Sequence, residues 1–306
     1  MRPDRRDHQD LIPRPRFAAG LQGALTERRD MTENLTHPHS HQYQPTALLR
    51  GIIRNYSSYA YGCSPRSRIL MPNTVATLNF AFGEAVHTRD MADRTVTRLV
   101  SSQTDLPTAT ALLARHDGNV SGVAVRFSPI GAYRLFGVPM RHWGALDLDP
   151  VQLFPPSLRS LPERLREAAP QERPRLLDRM LPALLQSGPA VAPEVLWAWR
   201  ELHRTQGRRK TAQLAADTQW SVRHLQRRFR EQVGRSPAEI ARILRFTHAL
   251  RLRGTGMALG KVAQLAGYHD QAHLHLVFRK ATGLTPTQLP LDQVDWNSAL
   301  AKPLPE

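Results

Sequence analysis

Apolar positions change their period along the chain, and the change divides it. Between about Thr46 and Phe154 they alternate: Ala76, Leu78, Phe80 and Phe82 are separated by Thr77, Asn79 and Ala81, and Val123, Val125 and Phe127 by Ala124 and Arg126. A period of two is that of half-buried strands, so this region reads as β-rich. Ser128-Pro129 then supplies an N-cap and a first-turn proline for a short helix, which Gly137 ends and Pro139 follows. From Pro155 to Thr205 the spacing becomes helical and is punctuated by prolines. Leu176, Leu177, Met180, Leu184 and Leu185 form one stripe, a linker bundle, and Val195, Leu196, Trp199 and Leu202 form another.

Beyond that point one block is written twice, 49 positions apart. The first copy is His224-Leu225, Phe229-Arg230, Gly234, Ser236-Pro237, and the second is His273-Leu274, Phe278-Arg279, Gly283, Thr285-Pro286. Leu225 and Phe229, like Leu274 and Phe278, lie four apart on one helical face and predict a buried stripe. Gly234 and Gly283 fall where a helix C-terminus takes positive φ, and Ser-Pro or Thr-Pro predicts the start of a further helix. Ahead of each copy a short apolar run leads through a turn to a good N-cap. Leu214-Ala215-Ala216 reaches Ser221 through Gln219 and Trp220, and Val262 to Ala266 reaches Asp270 through Gly267 and Tyr268. A short helix, a tight turn and a capped longer helix form a helix-turn-helix, whose second helix can enter the DNA major groove. The pattern occurs twice, with Gln219 in the turn where the second copy has Gly267.

Charge sharpens that reading. Between Arg200 and Pro290 lie 17 Lys or Arg against 5 Asp or Glu, which places +12 of the chain's +16 in this region. On the first capped helix the face away from Leu225 and Phe229 carries Arg223, Gln226, Arg227 and Arg230, side chains that donate to purine edges and phosphates. A basic helix face alone is often only solvated surface; set in a repeated helix-turn-helix frame, it reads as a DNA-contacting face. A non-specific nucleic-acid-compacting protein would account for the charge but not for two ordered reading helices.

The stretch from about Arg200 to Leu291 resembles the DNA-binding domain of AraC/XylS-type bacterial transcription regulators, in which a long helix joins two helix-turn-helix units. The doubled His-Leu-x3-Phe-Arg-x3-Gly-x-(Ser/Thr)-Pro frame and Gly267 to Leu274 carry the likeness. The resemblance implies that Arg223, Gln226 and Arg227 approach bases in one major-groove segment and Gln271, Ala272 and His273 in the next. Ser221, His224, Arg230, His275 and Arg279 complete the expected DNA-binding set. The joining helix, about Pro237 to Arg253, would be roughly 25 Å long, enough to hold two reading helices about one DNA turn apart. One departure matters: Leu276 stands where the first copy has Arg227 and where the family usually keeps Arg or Lys. The second helix is thus expected to contribute less electrostatic affinity and more apolar or shape readout, such as contact with a thymine methyl. Val125 to Pro139 also resembles the N-terminal sensor region of one AraC-type subfamily. This implies a cupin-like domain that binds a small effector or forms a homodimer.

The fold class expected is α+β, a β-rich N-terminal domain followed by an all-α double helix-turn-helix domain. The expected divisions are a disordered polar tail over 1–45, a sensor or dimerisation domain over 46–154, a helical linker over 155–199, the DNA-binding domain over 200–291 and a C-terminal tail over 292–306. Met31 is a candidate for the true translation start. Partners are promoter DNA, a small effector, a second copy, and RNA polymerase if the protein activates. No catalytic step, cofactor, metal or membrane association is expected. Cys63 is the single cysteine and excludes an internal disulfide framework. It could serve as an alkyl-accepting nucleophile in a DNA-repair fusion, yet no base or cationic neighbour stands at a fixed spacing from it. His37, His39 and His41 read as exposed polar residues, Glu84 and His87 as a surface pair, and Tyr56, Tyr59 and Tyr61 as strand packing. No apolar run reaches 18 residues and no signal-peptide core opens the chain, so a soluble cytoplasmic protein is expected.

Overall fold

A computed structural model describes residues 39–62, 65–143, 150–185 and 188–296. Residues 1–38, Met31 and His37 among them, Cys63 and residues 297–306 lie outside the described residues.

The N-terminal domain has two antiparallel sheets. In the first, β1 (His39–Tyr43), β2 (Ile53–Tyr61), β9 (Val120–Phe127), β4 (Ala76–Ala81) and β7 (Gln103–Asp105) lie side by side in that order; in the second the order is β3 (Arg66–Leu70), β8 (Leu112–His116), β5 (Val86–Asp90) and β6 (Thr97–Val100). The alternation read from the sequence is the pleat itself. Ala76, Leu78 and Phe80 pair with Phe127, Val125 and Val123, and all six are buried. That face is covered by α1 (Pro129–Phe136), α2 (Leu161–Glu167), α3 (Arg173–Met180) and α4 (Pro182–Leu185), with Trp143, Phe154, Leu161, Leu165, Leu177 and Leu181 in the same core. The Ser128 hydroxyl oxygen accepts from Gly131 N and Gly137 closes α1 at φ 68°, the expected caps. Two polar ties hold the helices to the sheet. Tyr56 Oη donates to Asp178 at 2.7 Å, and the buried Arg173 donates from Nε to the Leu165 carbonyl while lying 4.8 Å from the Phe82 ring.

The expected N-terminal tail is corrected over its last residues, because His39–Tyr43 pairs with β2 along its whole length. His-Ser-His-Gln-Tyr has no apolar run to reveal it. An edge strand is held by backbone hydrogen bonds and needs no buried side-chain stripe.

Six helices follow: α5 (Pro193–Arg204), α6 (Thr211–Asp217), α7 (Val222–Val233), α8 (Pro237–Gly254), α9 (Leu259–Leu265) and α10 (Gln271–Thr282). Ser236 and Glu239 cap α8 reciprocally, as Ser-Pro predicts. Thr285-Pro286 does not open a helix. Thr285 and Gln288 make the same reciprocal pair, at 3.1 and 3.3 Å, but Pro290 follows within a turn and only a turn forms. The expected C-terminal tail is likewise corrected over 292–296. Val294 bridges to Ile69 of β3, Asp295 N donates to the Ile69 carbonyl at 2.9 Å, and Trp296 Nε1 donates to Leu291 O.

His203 of α5 packs 4.5 Å from Trp199, and burial together with the charges of Arg54 and Arg251 pushes its imidazole down to about 3. A histidine held neutral in the fold stabilises it above the unfolded value of about 6.5, and that contribution is lost as pH falls below it. Stability should therefore drop between pH 6.5 and 5 by up to about 1.4 kcal/mol per pH unit from this residue. Urea unfolding of wild type and His203→Gln at pH 7, 6 and 5 checks it, the variant giving the flatter profile.

Candidate nucleic-acid interface

Both units are built alike from the turn outward. Trp220 N donates to Ala215 O at 3.0 Å and Tyr268 N to Ala263 O at 2.9 Å, each closing a turn whose preceding residue is left-handed: Gln219 at φ 58° and Gly267 at φ 77°. The turn thus takes the same shape with glutamine or glycine. Up to this point the copies are offset by 48 positions and beyond it by 49, so His269 is one residue extra in the second unit. Its Nδ1 lies 3.0 Å from Asp270 Oδ2.

The reading helices then start the same way. Ser221 Oγ accepts from His224 N at 3.2 Å, and Asp270 Oδ1 accepts from His273 N at 2.7 Å. The His273 amide and neighbouring His269 hold the Asp270 carboxyl below the usual carboxylate range. His224 packs on Trp220 with ring centres 4.3 Å apart and the planes tilted by 43°, and His273 meets Tyr268 edge-on at 5.3 Å. Burial pushes the Tyr268 hydroxyl up to about 12.

Along α7, Leu225, Phe229 and Val233 are buried, while Ser221, Arg223, His224, Arg227 and Arg230 are exposed and Gln226 is half-buried. Arg228 is bound to Glu231 at 2.7 Å and lies off the exposed stripe. Along α10, Leu274, Phe278 and Ala281 are buried, and Gln271, Ala272, His273, Arg279 and Lys280 are exposed. Leu276 is 50% exposed, an apolar side chain on an otherwise polar face. His275 does not stand outward as expected. Its ring is half-buried and Nε2 is enclosed, because position 275 flanks the Leu274–Phe278 stripe. The structure thus brings Arg223, Arg227 and Arg230 together on one exposed stripe of α7 with Gln226 half-buried beside it, and Gln271, Ala272 and His273 on the first turn of α10.

Four exposed cations carried no periodic signal in the sequence: Arg204 at the end of α5, which is paired with Glu201 at 2.8 Å, Arg208 and Lys210 ahead of α6, and Lys261 on α9. They flank the first helices of the two units, which in this motif cross the phosphate backbone. Only the regional charge excess pointed to them.

This arrangement offers two capped helix N-termini, each with a positive dipole end, followed by exposed donor side chains. Residues 214–290 match the family described as a helix-turn-helix domain. The match spans both units, and the C-terminal domain is an AraC-type helix-turn-helix domain. Among solved structures, the chain is similar to the C-terminal domain of AraT, a response regulator from Geobacillus stearothermophilus, at 23% identity over 33% of this chain and 85% of that one, with a TM-score of 0.30. It is also similar to ToxT from Vibrio cholerae, at 9% identity over 76% and 97% of the two chains, with a TM-score of 0.40. No curated protein matches the chain. Among the described residues, no three His, Cys, Asp or Glu gather as a metal site, and no helix is long and apolar enough to cross a membrane. Glu84 and His87 are exposed. Tyr59 Oη donates to Asn79, and Tyr59 stacks on Tyr61 at 5.8 Å.

Proposed function

We propose that this DNA-binding transcription regulator is sequence-specific and reads two adjacent major-groove segments, one through α7 and one through α10. The observation that carries the reading is the pair of matched units: the same turn, the same cap and an exposed polar face on each second helix, joined by an 18-residue α8 that is about 27 Å long. Arg223, Gln226 and Arg227 contact base edges in the first segment, with Ser221, His224 and Arg230 at flanking phosphates. Gln271, Ala272 and His273 read the second, with His275 and Arg279 beside them. The protein acts in the cytoplasm at the nucleoid and has no catalytic step. A small effector or a second copy acts through the β-rich domain, and RNA polymerase is the partner if the protein activates.

Leu276 makes the second segment unlike the first. An exposed leucine offers no hydrogen bond to a guanine edge and no charge to a phosphate, but it can cover a thymine methyl. Leu276→Arg is expected to tighten binding, to steepen the salt dependence by about 0.9 in the log–log slope and to lose preference for thymine there. Unchanged affinity and preference would remove Leu276 from the interface.

Selection of genomic DNA fragments by the purified protein tests the whole reading. The expected product is a shared motif with two blocks about one helical turn, roughly 10 base pairs, apart. Fragments enriched by charge alone, with no common sequence, would favour a non-specific binder.

A further inference from the structure

The two reading units have separate cores that share one helix. α8 gives Ile240, Ala241 and Ile243 to the first and Phe246, Ala249 and Leu250 to the second. Outside α8 the units also meet where Arg208 lies against Gly267. A second bridge comes from the β-rich domain. Its residues enter both cores, Ile130 in the first and Ile69, Met71 and Ala111 in the second.

Beside the packing of α1 and Met140–His142 on α7, one part of that bridge touches both units: a rim made of Met91–Ala92 and Leu106–Ala111. Met91 N donates to Ala111 O at 2.9 Å and Thr110 Oγ1 to Asp90 Oδ2 at 2.7 Å, which ties the two segments together. At the first unit the Leu106 side chain lies on Gly234, and Arg235 Nε donates to Pro107 O at 2.9 Å. At the second, Ala111 N donates to Ala281 O at 2.7 Å and the Met91 carbonyl lies over Gly283. Gly234 and Gly283 are the same position of the repeat. Both are left-handed, at φ 83° and 70°, and a Cβ would stand 2.5 Å from Leu106 at one and 2.3 Å from Met91 O at the other. Both positions therefore need glycine for the cap, and Gly283 needs it again for the approach of the rim's backbone.

The rim holds α7 and α10 at their C-terminal ends and leaves the N-terminal, base-reading ends clear. Each helix has 12 residues and is about 18 Å long, so a small rotation at the held end displaces the reading end. We propose that this rim sets the angle between the two reading helices and so the half-site spacing the protein accepts. The inference rests on the DNA-reading assignment above and makes Leu106, Arg235 and Ala111 positioning residues.

The test uses the full chain and the selected DNA site with its spacer shortened by one or lengthened by one or two base pairs, alongside probes carrying one half-site only. Each base pair moves a half-site by about 3.4 Å and turns it by about 35°. Wild type should lose about tenfold or more in affinity at each altered spacer. Leu106→Asp and Arg235→Met should bind single half-sites within about twofold of wild type, because both half-buried side chains lie at the C-terminal end of α7, away from the reading face. Their loss across altered spacers should shrink to about threefold or less. The single half-site reports folding, and if Leu106→Asp fails to bind it, Arg235→Met decides the matter. Spacing profiles identical to wild type would overturn the proposal and leave spacing to α8 alone. Absence of any specific site for wild type would instead overturn the DNA-reading assignment, and this inference with it.

Discussion

Arg227→Ala is expected to cost about 1–3 kcal/mol of affinity for the selected site, a loss of roughly fivefold to 150-fold, and to relax base preference at one position of the first half-site. Arg227 is exposed midway along α7, between Arg223 and Arg230 on the same stripe and opposite the buried Leu225 and Phe229. A guanidinium there presents a planar fork that matches the two acceptors of a guanine edge, which a lysine ammonium does not. Folding should be indifferent to the change, with unfolding free energy within about 0.5 kcal/mol of wild type. Equilibrium binding to the selected site and to versions substituted at each base pair measures the effect. A uniform loss across all sequences, with a shallower salt slope, would move Arg227 from base edge to phosphate.

The largest effect on stability is expected from Phe278→Ala, about 3–5 kcal/mol, because its ring is wholly buried and removal leaves a cavity that helices cannot close without shifting. The ring lies 4.9 Å from that of Phe246 on α8, in the core that also holds Leu274, Val262 and Tyr268. Ile69, Met71 and Ala111 of the β-rich domain share that core, so loosening it should also release the rim from α10. Urea unfolding should show the midpoint falling, and the variant should lose contact with the second half-site before the first. Phe229→Ala, at the equivalent position in the first unit, is wholly buried too and should cost as much while reversing that order.

The residues that made the fold legible are those whose roles are local. Leu225 with Phe229 and Leu274 with Phe278 show helical spacing, Ser221, Asp270, Gly234 and Gly283 mark helix ends, and Ala76, Leu78 and Phe80 show the pleat. Each signal is written within about one helical turn or a few strand residues. What escaped depends on distant partners. His39–Tyr43 is a strand only because β2 accepts its backbone, and Val294 is buried because it bridges to Ile69 and joins the core of the second unit. The docking of Met91, Leu106 and Ala111 on the two repeated helix ends has no local pattern at all. Pro290 cut short a helix that Thr285-Pro286 had announced, and His275 turned partly inward beside the buried stripe. The candidate site shows the same division: the arginine stripe on α7 could be read from spacing, whereas Arg204, Arg208, Lys210 and Lys261 gain meaning only once the two units are placed in space.

The most direct test of a protein that reads two DNA segments is its affinity for the selected site, for that site with one half scrambled, and for fully scrambled DNA, all at one salt concentration near physiological. The intact site should bind roughly a thousandfold or more tighter than scrambled DNA, and scrambling either half should forfeit a large part of that ratio, more for the half under α7. Equal affinity for all four DNAs, falling together as salt rises, would contradict the account and leave a basic protein that holds DNA by its phosphates alone.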